Sequence, residues 1–297
     1  MRCDLHVHTL HSGMCNIPLF NKICRESYND PLEVYATLKA RGMDLVTVTD
    51  HDSIDAVECL RHHPDFFLSE EVSCRMPSGT HLHMGVYGIE ERDHIELQRR
   101  RGDMASLLAY LDERRLLFSV NHVFSSLTGS RRDADFDLFA ERFPAVETRN
   151  GQMIAEANRR AELFCENARK IAIGGSDSHT IASLGRTHTE VAGVGNAREF
   201  IAGLRAGAGK VAGDSGNYWR LTRAIFEIGF HLMAERRATA LLSPLVALIP
   251  AITLANYALE WAFVWKWGPR ALAVTAGSRA GLVSFSEARP LRSANPL

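Results

Sequence analysis

The chain lacks the marks of several protein classes. Its six cysteines, Cys3, Cys15, Cys24, Cys59, Cys74 and Cys165, include no CxxC pair. A chain of this size builds its core without disulfide staples, so reduced thiols in a cytosolic protein are expected. A surplus of one charge sign is missing too, with 34 Lys+Arg against 35 Asp+Glu. That balance gives no electrostatic footprint for wrapping nucleic acid beyond a local basic patch. Met1-Arg2-Cys3-Asp4 carries no apolar leader and no small-residue cleavage site, so no secretory signal is expected. Internal repeats and low-complexity segments are absent.

Another absence is local. No residue from Thr239 to Leu259 is charged, and the run reaches Trp265 with only Glu260 interrupting. Arg236 and Arg237 precede it; Lys266 and Arg270 follow. A membrane span needs about 17–25 apolar residues, and Trp261, Trp265 and Trp267 suit an interface. Pro244, Pro250 and Asn256 break the run, so two short helices packed on a soluble domain fit it equally well. Segment 239–265 therefore leaves two readings open, membrane association or packing. The residues from Ser278 are expected to be weakly structured.

What is present is a strand–helix alternation. Short runs, several β-branched or aromatic, predict strands at Arg2–Val7, Leu45–Thr49, Phe66–Val72, His81–Tyr87, Leu117–Val120, Ala145–Thr148 and Ile171–Gly174. Asp30-Pro31 reads as a helix N-cap with proline at the first helical position, and Gly42 as a stop. Further helices are predicted over about Ile95–Arg114, Asp135–Arg142, Met153–Arg169 and Ala197–Ala206. Seven alternations argue for an α/β fold closed as a barrel over residues 1–215, followed by a helical apolar extension over 216–297.

The chemistry-bearing residues gather at strand ends. His6 and His8 are two apart on an extended run, so they face one side. Asp50-His51-Asp52 follows an apolar strand, where unpaired buried charge would be costly. Of Glu70 and Glu71 one must point inward, and of His81 and His83 either could be the surface member. Asn121-His122, Glu147-Thr148-Arg149-Asn150 and Ser176-Asp177-Ser178-His179 close the series. Each alone is explained by a satisfied or solvated side chain. Together, converging on the mouth of a parallel barrel, they point to a metal cluster.

In order along the chain, Asp4-Leu5-His6-Val7-His8-Thr9, Thr49-Asp50-His51-Asp52, Glu71-Val72-Ser73, His83, Asn121-His122 and Ser176-Asp177-Ser178-His179 resemble the motifs of the polymerase and histidinol phosphatase (PHP) domain family. The resemblance covers roughly residues 1 to 215. It implies a distorted seven-stranded (β/α) barrel and two or three divalent metal ions, commonly manganese, zinc or iron. It implies His6, His8, His51, Glu71, His83, His122, Asp177 and His179 as ligands, with Glu71 bridging two metals. The family often carries an Asp or His after a Ser shortly past the first histidine pair. Here His11-Ser12-Gly13-Met14 places Gly13 there, so a third metal is absent or His11 substitutes.

Imidazole and carboxylate without thiolate suit zinc, manganese or iron(II). Two such ions acidify water from a pKa of about 15.7 to roughly 7 and clamp phosphate oxygens. The expected activity is hydrolysis, by metal-bound hydroxide, of a phosphate mono- or diester of a small metabolite, nucleotide or short oligonucleotide. Asp50 or a second water would protonate the leaving group. Arg25, Arg149 and Arg186 are candidates for holding the phosphate. Two alternatives stand beside this: a single-strand nuclease, and a membrane-tethered protein that binds metal or nucleotide without turnover. The catalytic domain is expected to be cytoplasmic.

Overall fold

The computed structural model describes residues 1–15 and 20–286. β1 (Arg2–Cys3) is short. β2 (Ser69–Arg75), β3 (His81–Tyr87), β4 (Leu117–Val120), β5 (Ala145–Asn150) and β6 (Ile171–Gly175) lie in sequence order across one sheet. The β2–β3 and β3–β4 pairs are antiparallel, and β4–β5 and β5–β6 are parallel. β7 (Thr187–Glu190) and β8 (Lys210–Gly213), which sequence patterning did not indicate, join β1 in a second, antiparallel sheet of order β1-β7-β8.

The expected seven-stranded barrel is therefore corrected to a mixed α/β fold whose two sheets do not close among the described residues. The predicted strand Arg2–Val7 is regular only at Arg2–Cys3, and Leu45–Thr49 forms no strand. Segments 4–9 and 45–51 instead run extended beside the five-stranded sheet. Single bridges tie Val7 to Ser178, Val46 to Phe66 and His51 to Glu71. The physical reason is competition by side chains. Thr49 Oγ1 accepts from the Val7 N–H at 3.0 Å, and Asp50 accepts from the Thr9 N–H at 2.6 Å, which diverts donors from a ladder.

The helices follow their caps. α1 (Pro31–Ala40) starts where Asp30 accepts from the Leu32 and Glu33 N–H groups, and Gly42 stops it at φ +81°. α2 (Val57–Leu60) is a single turn. The one predicted helix Ile95–Arg114 is two, α3 (Glu91–Arg100) and α4 (Met104–Glu113), because Asp103 after Gly102 caps a new start. α5 (Asp133–Arg142), α6 (Ala155–Ala168) and α7 (Ala197–Arg205) fall near their predicted places. α8 (Tyr218–Glu235) leads through a 3-10 stretch, Arg237–Leu248, to α9 (Ile249–Ser286). Residues 278–286, expected to be weakly structured, are helical; 287–297 lie outside the described residues.

The largest apolar cluster lies on the outer face of the five-stranded sheet. Val72, Met84, Val120 and Val146 pack there with Leu107, Phe136, Phe139 and Phe164 of the helices. One side of α9 joins it through Phe263, Val264, Trp267 and Ala271. Burying such side chains stabilises the fold by about 1.5–3 kcal/mol each. The opposite face of the sheet, against segment 4–9, carries the polar residues.

Gly175 allows that close approach, since a Cβ there would overlap His6 N and Cβ. Gly175→Ala must push backbone against backbone, and overpacking costs about 1–3 kcal/mol. The urea midpoint should fall with the slope unchanged. An unmoved midpoint would show that segment 4–9 shifts freely.

Candidate metal centre

His6 and His8 project from segment 4–9, and His51 ends segment 45–51. Glu71 and His83 stand on β2 and β3, His122 follows β4, and Asp177 and His179 follow β6. The fold brings all eight together. His8–His51–His179, His6–His8–Asp177, His6–Glu71–His122 and His51–Glu71–His83 form overlapping triads, each with its ligand atoms within 4.8 Å of one another.

Glu71 is the hub. It is fully buried, and its two oxygens face different partners. Oε2 lies 3.2 Å from His6 Nε2, 3.4 Å from His8 Nε2 and 3.4 Å from His51 Nδ1. Oε1 lies 3.3 Å from His122 Nε2 and 3.8 Å from His83 Nδ1. Asp177 Oδ1 sits on the first side, 3.4 Å from His6 Nε2 and 3.3 Å from His8 Nε2.

Hydrogen bonds hold these groups in orientation. Asn121 Nδ2 donates to Glu71 Oε1 at 2.7 Å, and Asn121 Oδ1 accepts from Ser119 Oγ at 2.6 Å. Gly85 opposite Glu71 leaves the room that the Tyr87 hydroxyl fills beside Ser119. His6 Nδ1 donates to Glu147 Oε1 at 2.7 Å, which turns Nε2 to the centre. Asn150 Nδ2 donates to both Glu147 Oε2 and Asp177 Oδ2 at 3.0 Å. His122 and Asp177 hold positive φ, +30° and +51°, a conformation that costs a non-glycine residue about 1–3 kcal/mol and gathers at functional sites.

Asp50, expected as a proton donor, has another place. Its carboxylate accepts from the Thr9 N–H and hydroxyl, both at 2.6 Å, and from Ser12 Oγ at 2.7 Å. Ser12 has spent its proton on Asp50, so it accepts from His8 Nδ1 at 3.0 Å. That fixes the tautomer with the His8 Nε2 lone pair facing the centre, the arrangement by which outer partners orient metal-binding imidazoles.

Sequence reasoning missed Glu26. Its Oε1 lies 3.6 Å from His51 Nε2 and 3.7 Å from His179 Nε2. The Glu26 N–H donates to Gly13 O at 3.1 Å, and Met14 bridges Arg25. The Gly13 departure is thus met by a carboxylate arriving from a paired segment. Neither Glu26 nor His11, the proposed substitute, belongs to the four triads. Nothing near Glu26 in the sequence marks a strand end, so no local signal could have found it. Glu147 and Asn150 did sit at a strand end.

The proposed phosphate arginines scatter. Arg25 pairs with Glu235 at 3.0 Å, and Arg149 pairs with Glu162 at 2.7 Å. Arg186 donates to Ala182 O at 3.0 Å. With Thr180, Ser183, Arg220 and Arg223 it lines a cavity of about 80 Å³ beside the His179 segment.

Electrostatics and bonding both fit a cation. Burial alone would drive the imidazoles neutral, and it does lower His8 and His83 to about 3. At His6 it is outweighed by Asp177, Glu71 and Glu147, which hold the imidazole well above its ordinary value. Glu71 and Glu26 likewise raise His51 to about 9 against burial. Glu71 and Asp177 lie well below the carboxylate range; burial opposes this, but the surrounding imidazoles prevail. Buried His8 Nε2, His51 Nδ1 and His83 Nδ1, the nitrogens that face Glu71, have no hydrogen-bond partner among the described residues, as expected of ligands.

A divalent ion must therefore displace protons from His6 and His51. Affinity should rise with pH toward about 9, where His51 loses its proton unaided. Calorimetry in buffers of different ionisation enthalpy should record proton release at pH 7. No release at that pH would contradict the protonated pair.

Residues 155–208 match the family model described as PHP-associated. That match supports the PHP-domain resemblance carried by the motifs. No curated protein matches the chain. Among solved structures, PsfC from Pseudomonas syringae is 16% identical at a TM-score of 0.54, over 78% of this chain and 98% of that one. This likeness shows a shared fold. The lesion-specific endonuclease PfuEndoQ from Pyrococcus furiosus is 16% identical at a TM-score of 0.49, covering 71% of this chain and 58% of that one. An amidohydrolase from Chromobacterium violaceum is 13% identical at a TM-score of 0.47, covering 71% and 97%.

Proposed function

We infer that the chain is a PHP-type metal-dependent hydrolase acting on phosphoric ester bonds. One observation carries this: Glu71 presents one oxygen to His6, His8 and His51 and the other to His83 and His122. A carboxylate shared between two imidazole sets is the donor arrangement of a two-ion site.

On this reading His6, His8, Asp177 and Glu71 would hold one ion, and Glu71, His83 and His122 would hold a second. Glu26, His51 and His179 offer donors for a third. The soft-free donor set suits manganese, zinc or iron(II). Bound ions would supply Lewis-acid charge for a phosphoryl group and a source of nucleophilic water near neutrality. The chain's own residues orient and exclude. Asn121 and Asn150 fix Glu71 and Asp177, and the Asp50–Ser12 pair fixes the His8 ring. Because the Asp50 oxygens are consumed by Thr9 and Ser12, the leaving group takes its proton from solvent.

Arg186, at the cavity beside the His179 segment, is the proposed phosphate contact, since guanidinium matches phosphate oxygens. Arg25 and Arg149 are already ion-paired. The catalytic unit is residues 1–215 and its partner a small phosphorylated substrate, in keeping with the near-zero net charge. The catalytic body is cytoplasmic, with membrane association through 239–265.

Metal analysis of the purified protein, followed by aryl phosphate mono- and diesters with manganese, zinc and iron(II), tests the reading. Metal-dependent turnover of at least one ester is expected. Failure with every metal on both ester types would overturn it.

A further inference from the structure

We propose that the 3-10 stretch Arg237–Leu248 and α9 dock in the plane of an anionic lipid surface rather than cross the bilayer. The proposal rests on the membrane association included in the functional reading and specifies its geometry and lipid class.

Among the described residues one helical stretch, Leu241–Ala273, is long and apolar enough to cross a membrane. Its two sides have different fates. On one side Phe263, Val264, Trp267 and Ala271 belong to the main core. Glu260 is 5% exposed, and its Oε1 accepts from the Ser126 N–H at 3.0 Å and from Ser126 Oγ at 2.6 Å. Ser126 lies four residues beyond His122. A spanning helix would have to strip these core contacts and carry the Glu260 carboxylate into hydrocarbon, where an unpaired charge is costly.

The other side is covered by nothing among the described residues. Leu241, Leu248, Ile252, Leu259 and Trp265 are exposed, Leu241 at 87% and Trp265 at 76%. Trp219 of α8 is exposed at 76% as well. A helix apolar all round belongs in a core or in lipid, and an exposed apolar face of this extent marks an interaction surface.

Charge selects the occupant. Arg236 and Arg237 stand at one end of the apolar stretch and Lys266 and Arg270 near the other, all exposed. None has a carboxylate partner among the described residues; Lys266 and Arg270 lie over the Trp267 ring. Glu260 is the one acid from Arg236 to Ser286, and it is buried. A second copy placed on this face would bring cations against cations, a mismatch that suppresses pairing. Anionic headgroups around an embedded apolar face with tryptophan at its edge satisfy both features, as in interfacial helices.

The test is flotation of the full chain with vesicles of phosphatidylcholine alone and of phosphatidylcholine with phosphatidylglycerol. Binding to the anionic vesicles is expected, with about a fivefold loss for each of Arg236→Gln and Arg237→Gln. The exposed pair Leu248→Asn/Ile252→Asn should lose about tenfold or more. Alkaline carbonate should extract the bound protein.

Three outcomes overturn the proposal: resistance to carbonate, which marks a span; equal binding to both vesicle types; and no vesicle binding with a dimer that Leu248→Asn/Ile252→Asn dissolves. Circular dichroism of each variant separates lost binding from lost folding. Ester hydrolysis, followed separately without lipid, distinguishes failure of the hydrolase reading from failure of the dock.

Discussion

Replacing Glu71 with glutamine is expected to lower metal-dependent ester hydrolysis by at least about 10³-fold. Supporting partners of metal ligands are worth about 10–100-fold, and Glu71 touches both imidazole sets itself. The amide keeps the shape of the carboxylate but loses its charge, and one of its two heads becomes a donor with no lone pair to share. His6 and His51 then lose one of the carboxylates that hold them protonated, leaving Asp177 and Glu147 beside His6 and Glu26 beside His51. The bound-metal count should fall in parallel, measured by elemental analysis of the folded variant. Asn121→Ala, which removes the donor to Glu71 Oε1 and the acceptor of Ser119 Oγ but leaves the carboxylate itself, should show a milder loss of metal affinity of about 10–100-fold. Full activity in the glutamine variant would remove Glu71 from the centre of the mechanism.

Chelation should produce the largest stability change. An ion present at about a thousand times its dissociation constant stabilises the native state by about 4 kcal/mol. In a domain of this size each kcal/mol moves the melting temperature by about 2–4 °C. Removing even one ion should therefore lower Tm by about 8–16 °C, and readdition should restore it. Scanning fluorimetry with and without chelator reads this directly. The local cause is that His8 Nε2, His51 Nδ1 and His83 Nδ1, which have no protein hydrogen-bond partner among the described residues, lose the ion that would satisfy them. An unmoved Tm would mean that the pocket is satisfied without metal.

Most of the residues that the fold brings together were legible in the sequence through the ordered motifs of the family resemblance, with the two-residue repeat of strands setting His6 and His8 on one side. Strand alternation left His81 and His83 open, and only the motif match pointed to His83; the register pairs Ser73 with His83 beside Glu71 and leaves His81 exposed at the sheet edge. The same alternation sends Glu70 outward to His94, 2.5 Å away. Asp50 sat in the right motif, yet its role depends on Thr9 and Ser12, about forty positions earlier. Barrel closure failed for a related reason: side-chain acceptors in segments 4–9 and 45–51 replace ladder bonds, which hydrophobic pattern alone does not reveal. β7 escaped because His188 and Glu190 leave it no apolar run, and β8 because its four residues begin with Lys210 and end with Gly213. Glu26 required knowing what two distant segments do when they meet.

The placement of Glu26 has a consequence for how this centre can change over generations. The His6, Glu71 and His122 donors rise from the sheet or from segments pressed against it, where a shift in one backbone disturbs its neighbours. Glu26 instead rides on an irregular stretch joined to the body by the Gly13 contact, the Met14–Arg25 bridge and the Arg25–Glu235 pair. Insertions or substitutions there can retune the third donor group while leaving the first two intact. The centre thus divides into a rigidly held part and an adjustable attachment, whose donors can change without the fold having to be reinvented.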